Sequence, residues 1–397
     1  MGHHLDSKNS IVPLIDRLNK YPIGLPDNEK LRQILALLFS EEEAFIASRF
    51  PLEESTIEEL THVTGWEQER LEIKLDEMAD KGLVMDLDYN DQTFYILMPG
   101  LIGFFEFTFM KQRQDLPVAE LAQLMHEYLL GDPNQEMGRE FFSSKTPLTR
   151  SLVYEEHIPV SSTIATYESA REIIINADYG AIAMCYCRHK KEHLQQSCEK
   201  GAPTQEICIS LGTAARFMVR RGFAEKRTTD ELLTILTRAR DLNLTHITDN
   251  IRYNPSFICN CCSCCCELLG GINRGFPMGV AKTNFSLHID LTSCIGCGLC
   301  REACNVTALE LVDAPGKEKK KQMKVNSDHC LGCGACISTC PTQSLSLIPM
   351  RHSTPPKEKR DLFKRILKEK KRLTPFIVSR VKKQLRCILT WPDTGKR

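Results

Sequence analysis

The chain has 397 residues, of which 42% are hydrophobic and 26% charged, so it is long enough for two or three soluble domains and lacks an apolar run of transmembrane length. The formal net charge is zero, because a basic C-terminal arm offsets an acidic body. Nineteen cysteines, most of them clustered, and a start (MGHHLDSKNS) without the pattern of a secretory signal favour metal ligation in a reducing compartment over disulfides. We therefore expect a cytoplasmic protein.

The N-terminal segment, residues 1–110, predicts a helical domain that ends in a hairpin. Apolar positions recur at helical spacing over 28–49, a short helix begins at Thr56, and a third helix over 66–81 stops at Gly82. Two apolar runs around a polar tripeptide then predict a hairpin. This order of elements resembles the winged-helix domains of transcription regulators, and it implies a winged-helix-like fold.

The third helix of this segment argues against DNA binding. Its acidic residues are Glu67, Glu69, Glu72, Asp76, Glu77 and Asp80, and its basic residues are Arg70, Lys74 and Lys81. In a winged-helix domain this helix faces phosphates, whose neutralisation supplies most of the non-specific affinity for DNA. We therefore expect a structural or protein-binding role for the domain and no DNA partner.

Residues 111–165 predict a helical connector without visible chemistry. Four phenylalanines lie just before this connector and are expected to pack in the core or against a partner. They are Phe104, Phe105, Phe107 and Phe109. Residues 166–283 predict a helical, cysteine-rich domain. Helices are expected over 168–177, over 205–221 and after Thr228, which forms a capping-box pattern with Glu231; the apolar residues before the first cysteines suggest a strand or a buried turn.

Ten cysteines of this middle domain are candidate metal ligands. They are Cys185, Cys187, Cys198, Cys208, Cys259, Cys261, Cys262, Cys264, Cys265 and Cys266. Adjacent cysteines direct their sulfurs apart, so one metal centre uses only some of the six that lie within 259–266. We prefer a four-thiolate site, for a third 4Fe-4S cluster or for zinc, made by Cys185, Cys187, Cys198 and Cys208. The 259–266 run is then a second metal site or an exchange-active thiol group.

Two other residues near these cysteines have alternative interpretations. Arg188 either hydrogen-bonds a sulfide or offsets anionic thiolates, or it is an ordinary surface arginine. His246 is either a ligand or proton donor, or a packed or solvated histidine.

Two cysteine runs with the spacing C-x2-C-x2-C-x3-C give the strongest signal in the chain. The first is Cys294, Cys297, Cys300 and Cys304, and the second is Cys330, Cys333, Cys336 and Cys340. Three thiolates on a tight loop can reach three irons of one cube, and the glycines between them let backbone amides approach the sulfides. Zinc is the alternative for any cysteine cluster, but two matching runs in tandem favour 4Fe-4S clusters.

The paired runs resemble the bacterial-type two-cluster ferredoxins over residues 284–350. The resemblance implies a small α+β fold, two 4Fe-4S clusters and electron transfer between them. It also implies crossed ligation, in which the fourth cysteine of each run binds the other cluster. One cluster would then be bound by Cys294, Cys297, Cys300 and Cys340, and the second by Cys330, Cys333, Cys336 and Cys304.

This module departs from the ferredoxin pattern in two places. Asn305 follows Cys304 where the family usually has proline, which is expected to change the local turn or the cluster environment. The segment between the runs is longer than in the smallest ferredoxins and predicts a hairpin with a basic tip, a candidate docking site.

A wider resemblance covers the chain from about residue 173 to the end of the module. The Cys185-x-Cys187-Arg188 element, Cys198, Cys208, the THITDN stretch and the C-x-C-C-x-C-C-C run resemble a family of ferredoxin-type proteins of anaerobes. The resemblance implies iron–sulfur binding and a redox function, and it names no substrate.

Residues 351–397 predict a basic helical tail. From Pro356 onward the sequence has 15 lysines and arginines against 4 aspartates and glutamates. Such a segment is either a solvated helix or a contact for an anionic surface, which an acidic protein, a membrane or a nucleic acid could supply.

Taken together, these patterns predict an α+β multidomain protein that transfers electrons to or from redox protein partners. Two alternatives remain: an iron–sulfur redox-sensing regulator that uses the winged helix, and a redox enzyme with its substrate site at the central cysteines. Catalysis has little support, because the sequence shows no nucleotide-binding glycine motif, haem attachment motif or flavin signature.

Overall fold

The computed structural model describes residues 7–132, 134–159, 162, 164–314, 321–350 and 354–374. It divides the chain into two compact units, Met1–Phe105 with Phe363–Arg397, and Glu106–Leu362. Helices and strands occur in both, which agrees with the predicted α+β class. In the part of the chain that the structure describes, no helix has the length and apolar character needed to cross a bilayer.

The first unit begins with five helices and a hairpin. These elements are α1 Ser7–Leu18, α2 Glu29–Leu38, α3 Glu41–Arg49, α4 Ile57–Thr64, α5 Gln68–Asp80, β1 Val84–Tyr89 and β2 Gln92–Leu97. The helical pattern predicted over 28–49 is two helices, because Ser40 starts a new one. Its hydroxyl accepts the amide N–H of Glu43, and the Glu43 carboxylate accepts the amide N–H of Ser40.

The predicted hairpin is confirmed. Strands β1 and β2 pair from Val84 opposite Leu97 to Tyr89 opposite Gln92. The turn residues Asn90 and Asp91 have φ angles of 48° and 60°, which asparagine and aspartate tolerate in the turns that suit a twisted hairpin.

The four phenylalanines are buried, with exposed fractions of 0 to 7%, so the predicted core packing is confirmed. Phe104 and Phe105 belong to the first unit, where Phe104 meets Phe39 edge-to-face with ring centroids 5.4 Å apart. Phe107 and Phe109 belong to the second unit. The short helix α6 Phe105–Thr108 carries Phe105 and Phe107.

A six-stranded antiparallel sheet forms the centre of the second unit, so the prediction of a helical cysteine-rich domain is wrong. The strand order is β3-β7-β8-β5-β4-β6. The strands are β3 Thr149–Ser151, β4 Gly180–Ala183, β5 Cys208–Leu211, β6 Ala224–Lys226, β7 Thr245–Asp249 and β8 Phe257–Cys261. The helices around them are α7 Val118–Leu130, α8 Glu136–Phe142, α9 Ala170–Ile175, α10 Tyr186–His193, α11 Gly212–Arg220, α12 Thr229–Asp241 and α13 Glu267–Asn273.

The helix predicted over 205–221 is in fact strand β5 followed by helix α11. Ile207, Ile209 and Leu211 are buried, and β5 lies between β4 and β8. A short apolar run of this kind suits an interior strand as well as a helix. Gly212, with a φ of 56°, separates the strand from the helix. The capping box predicted at Thr228 is present at the start of α12.

Two antiparallel strand pairs and one helix make up residues 285–349. Strand β9 Phe285–Ile289 pairs with β12 Leu345–Pro349, strand β10 Leu309–Asp313 pairs with β11 Lys321–Val325, and α14 Leu299–Ala303 lies within the first cysteine run. The β10–β11 pair confirms the hairpin predicted between the cysteine runs. Most of its basic tip, residues 315–320, lies outside the described residues.

The described part of the tail contains helix α15 Lys359–Glu369. Leu362, Ile366 and Leu367 are fully buried, so this stretch is not a solvated helix. The predicted basic segments at 351–353 and 375–397 lie outside the described residues. The predicted domain boundaries within 111–350 stay predictions.

Candidate metal centres

The structure brings together the four cysteines assigned to the first predicted cluster. They line one pocket and are Cys294, Cys297, Cys300 and Cys340. Cys340 comes from the second run and meets three cysteines of the first. Because Cys297 is exposed and Cys300 is buried, this set reaches from the core to the surface.

The other four cysteines of the module lie deeper. They interact electrostatically with one another and are Cys304, Cys330, Cys333 and Cys336. Burial raises the pKa of Cys333 to about 12 and raises the pKa values of Cys304 and Cys336 as well, with the neighbouring thiolates adding to it. Thiolates at these positions therefore need a bound cation, which is what a metal centre supplies.

Equivalent glycines shape both cysteine loops. Gly296 and Gly332 have φ angles of 65° and 67°, a region that favours glycine. A Cβ atom on Gly296 would lie 2.1 Å from the Lys321 carbonyl oxygen, and one on Gly332 would lie 2.0 Å from the Phe285 carbonyl oxygen. Both loops therefore require glycine at the same place, and the donor set in each fits a 4Fe-4S cluster.

The fourth cysteines of the two runs accept matching backbone hydrogen bonds but differ in their side-chain partners. Cys304 Sγ accepts the Ala308 N–H at 3.4 Å, and Cys340 Sγ accepts the Ser344 N–H at 3.3 Å. The hydroxyls of Ser344 and Thr342 also lie 3.2 and 3.6 Å from Cys340 Sγ. Burial favours the neutral thiol, but these hydrogen bonds lower the pKa of Cys340 to about 7.

Four central cysteines form a compact group, called here the four-cysteine group: Cys198, Cys262, Cys264 and Cys265. Their sulfurs all lie within 4.8 Å of one another. Cys198 Sγ is 3.6 Å from Cys262 Sγ and 3.7 Å from Cys264 Sγ. Four thiolates at about 2.3 Å from one tetrahedral zinc ion are about 3.8 Å apart. The spacing therefore fits a single tetrahedral ion, whereas a cube separates its ligands by binding each to a different iron.

The remaining central cysteines form a closed series, called here the six-cysteine ring. The thiols that most affect the pKa of each one are its two neighbours in the order Cys185, Cys187, Cys266, Cys261, Cys259, Cys208 and back to Cys185. This grouping differs from the expected one, because Cys198 lies with the four-cysteine group and not with Cys185, Cys187 and Cys208.

Strand pairing explains how the ring forms. Strands β4 and β5 align Ala183 with Cys208, and β5 and β8 align Ile209 with Ile258. Continuing the second register places Cys208 opposite Cys259. Residues opposite each other or two apart share a face of a sheet, so Cys208, Cys259 and Cys261 point to the same side. The starts of α10 and α13 supply the others.

Arg188 is buried beside both groups of central cysteines, which excludes the surface interpretation. Its exposed fraction is 1%, and Nη2 donates to the Asn260 carbonyl oxygen at 3.1 Å and to Cys262 Sγ at 3.4 Å. Burial alone would lower the pKa of Arg188, but the thiolates of Cys185, Cys262 and Cys208 outweigh it and raise the pKa. Arg188 thus offsets thiolate charge.

His246 is a packed histidine. It stacks on Tyr154 with ring centroids 5.0 Å apart, and Nδ1 donates to the Asn260 side-chain carbonyl at 2.6 Å. Burial lowers its pKa to about 4, so it is neutral. In the β7–β8 register His246 faces Asn260, which alternates with Cys259 and Cys261, so His246 lies on the opposite face of the sheet from the ring.

Asn305 links the two cysteine regions, a role that sequence reasoning missed. Oδ1 accepts the Ser263 N–H at 3.2 Å, and Nδ2 donates to the Asn243 carbonyl at 2.7 Å and to Thr245 Oγ1 at 3.0 Å. Proline, which the ferredoxin family usually has at this position, carries no polar side-chain group that could form these bonds. The only signal was the departure from the ferredoxin pattern. Lys200, which no sequence pattern singled out, makes a second link by donating to the Ala303 carbonyl at 3.0 Å.

Comparison with known families agrees with the geometry of the module. Residues 287–347 match the 4Fe-4S dicluster domain family, and this stretch includes all eight cysteines of the two runs. No curated protein matches the chain. The chain therefore contains a ferredoxin-type module that binds 4Fe-4S iron–sulfur clusters.

Proposed function

We propose that this protein transfers electrons through two 4Fe-4S clusters with crossed ligation. Cys294, Cys297, Cys300 and Cys340 bind the first cluster, and Cys330, Cys333, Cys336 and Cys304 bind the second. The observation that carries the proposal is the position of Cys340, which borders the cavity formed by three cysteines of the other run. Each cluster, when bound, accepts and returns one electron.

The surface near the first cluster is suited to a redox protein partner. Cys297 is exposed, and the neighbouring Ile295 and Leu299 have exposed fractions of 63% and 44%. Apolar side chains grouped on a surface are typical of contact sites. A partner that covers this rim would approach the first cluster closely.

The second cluster is the inner end of the path and adjoins the central cysteines. Cys304 and Cys330 border the same apolar cluster as Cys261 and Cys266 of the ring. Asn305 fixes this arrangement through its bond to Ser263, between Cys262 and Cys264. An electron that reaches the second cluster is therefore close to the central centres.

The test of this function is reversible reduction without turnover. Anaerobic protein-film voltammetry should show two reversible one-electron couples, and reduction should give EPR signals of clusters that interact magnetically. Absence of any reversible couple in protein that retains its iron would exclude electron transfer.

We predict that the Ser344 hydroxyl raises the reduction potential of the first cluster. Ser344→Ala removes the 3.2 Å contact to Cys340 Sγ, and hydrogen bonds to ligand sulfurs are among the determinants of potential. One such bond is worth about 1 kcal/mol, so a shift of tens of millivolts is expected at about 59 mV per tenfold change. Voltammetry measures it.

The matched control uses the equivalent position of the other run. Ala308 stands four residues after Cys304, as Ser344 stands four residues after Cys340. Ala308→Ser should raise the potential of the second cluster and leave the first unchanged. Equal shifts of both couples in either variant would show that the hydroxyl does not act locally.

For the first unit we propose a winged-helix-like domain that binds protein and not DNA. The order of its helices and hairpin fits that class, and Ser55 pairs with Tyr95 of β2 through bonds of 2.9 and 2.8 Å. The basic side chains of α5 and Lys81 just after it are already paired: Arg70 with Glu42, Lys74 with Glu77, and Lys81 with Glu43. They offer little free positive charge to phosphates.

Accordingly, we predict no DNA binding by the intact protein. Gel-shift assays at low salt, with the clusters reduced and oxidised, should show no complex with mixed-sequence duplex DNA. A complex that forms in only one cluster state would instead identify a redox-sensing regulator.

A further inference from the structure

We infer that the four-cysteine group is a structural zinc site, in which four thiolates bind one tetrahedral zinc ion. The ligands are Cys198, Cys262, Cys264 and Cys265. The ion joins the segment that follows α10 to the turn between β8 and α13. This inference does not depend on the proposed electron-transfer function.

The distances between the sulfurs match a single ion. Cys198 Sγ lies 3.6 Å from Cys262 Sγ and 3.7 Å from Cys264 Sγ. Cys264 Sγ and Cys265 Sγ are 3.6 Å apart, and no pair in the group is separated by more than 4.8 Å. Zinc–sulfur bonds of about 2.3 Å in a tetrahedral site separate the sulfurs by about 3.8 Å, and zinc is the usual ion of closed four-thiolate sites.

The dicluster domain provides an internal comparison, because its cysteines are spaced differently. Each ligand of a cube binds a different iron, so the ligand sulfurs lie farther apart than sulfurs that share one ion. The structure describes all eight dicluster cysteines, and no three of them have sulfurs within 4.8 Å of one another. The four-cysteine group is therefore built for a smaller centre than the dicluster domain.

The local backbone explains how neighbouring cysteines reach one ion. Cys262 and Cys265 have the C-x2-C spacing that is common in structural zinc sites. They lie in a turn that is closed by the Cys266 N–H, which donates to the Cys262 carbonyl oxygen at 3.2 Å. This turn also brings Cys264 into the group, and Cys198 completes it from the other segment. Ligands that are already in place lose little freedom when the metal binds.

Burial and charge favour a bound cation at this site. Cys262 and Cys265 have exposed fractions of 1% and 4%, and buried thiolates are costly without a counter-charge. Arg188 Nη2 donates to Cys262 Sγ at 3.4 Å, as hydrogen-bond donors around metal-bound ligands commonly do. One divalent ion reduces the charge of four thiolates from minus four to minus two, and Arg188 offsets a further unit.

Both segments that the ion joins also contact the end of the first dicluster cysteine run. Lys200 lies two residues after Cys198, and its Nζ donates to the Ala303 carbonyl oxygen at 3.0 Å. Ser263 lies inside the turn, and its N–H donates to Asn305 Oδ1 at 3.2 Å. A zinc ion that holds the two segments together therefore also fixes the central sheet region against the dicluster domain.

The first test is the zinc content and zinc coordination of the full-length protein, purified anaerobically without added metal. We expect at least about one zinc ion per chain, and zinc X-ray absorption should show only sulfur ligands at about 2.3 Å. Less than about half a zinc ion per chain, in protein that retains its iron, would overturn the inference and leave electron transfer intact. Nitrogen or oxygen ligands on the zinc would overturn it as well.

Variants of two ligands that are distant in sequence test whether they bind the same ion. Cys198→Ser and Cys264→Ser should each lower the zinc content by about one ion per chain, and the double variant should also lose about one. Their iron content should equal that of the wild type. Retention of zinc in the double variant would overturn the inference, as would the loss of about four irons, which would identify an iron–sulfur cluster.

Ser263→Ala is the matched control within the same turn. It changes a residue between two ligands but keeps the main-chain N–H that donates to Asn305, so wild-type zinc and iron contents are expected. Loss of zinc from this control as well would show that disturbance of the turn, and not removal of a ligand, releases the ion. The zinc content and coordination of the wild type decide the question if a variant does not fold.

Discussion

Cys340→Ala combined with Cys294→Ala removes one cluster, whereas Cys340→Ala combined with Cys330→Ala removes both. Crossed ligation assigns Cys340 and Cys294 to the same cluster and Cys330 to the other. The first double variant should therefore lose about four irons per chain and the second about eight. Iron analysis and EPR of the reduced, anaerobically purified variants measure the losses.

A third double variant controls for general disruption of the module. Cys294→Ala with Cys297→Ala removes two ligands of one run, which serve the same cluster whether or not ligation is crossed, and should lose about four irons. If the losses for the two Cys340 pairs were exchanged, each run would bind its own cluster and the proposed ligand sets would be wrong.

Glu168→Ala lowers the free energy of unfolding by about 3–5 kcal/mol, because it leaves a buried arginine without its partner. Glu168 Oε1 accepts from Arg150 Nη2 at 2.9 Å and from the Asn284 N–H at 2.6 Å, and both charged side chains are almost fully buried. The pair joins strand β3 to the start of the dicluster domain. Denaturant unfolding, followed by circular dichroism under anaerobic conditions, measures the change.

An exposed ion pair of the same unit supplies the control. Glu156 and Arg240 are 2.8 Å apart, with side chains 42% and 32% exposed. Glu156→Ala should change the free energy of unfolding by less than about 1 kcal/mol, since water screens such pairs. A loss of similar size in both variants would mean that burial of the Glu168–Arg150 pair is not what makes it important.

The local patterns that proved predictable are those whose physical cause lies within a few residues. The C-x2-C-x2-C-x3-C runs depend on one tight loop each, and the family match covers both. The hairpin at Asn90 and the capping box at Thr228 are also local, and the structure contains both.

The arrangement of the central cysteines could not be predicted, because it depends on strand register. Cys208 meets Cys259 only because β5 and β8 are neighbours in the sheet, and the 205–221 stretch was expected to be a helix. Cys198, which follows α10 in an irregular segment, joins Cys262 by tertiary packing that its spacing from Cys187 does not indicate. The bonds of Asn305 likewise connect residues about 40 to 60 positions apart.

The most direct test of the account is the content of iron, acid-labile sulfide and zinc in anaerobically purified full-length protein. Two 4Fe-4S clusters predict about eight irons and about eight sulfides per chain. Any zinc found in the protein is expected at the central cysteines. Four or fewer irons per chain, without matching sulfide, would contradict the two-cluster assignment and the proposed function with it.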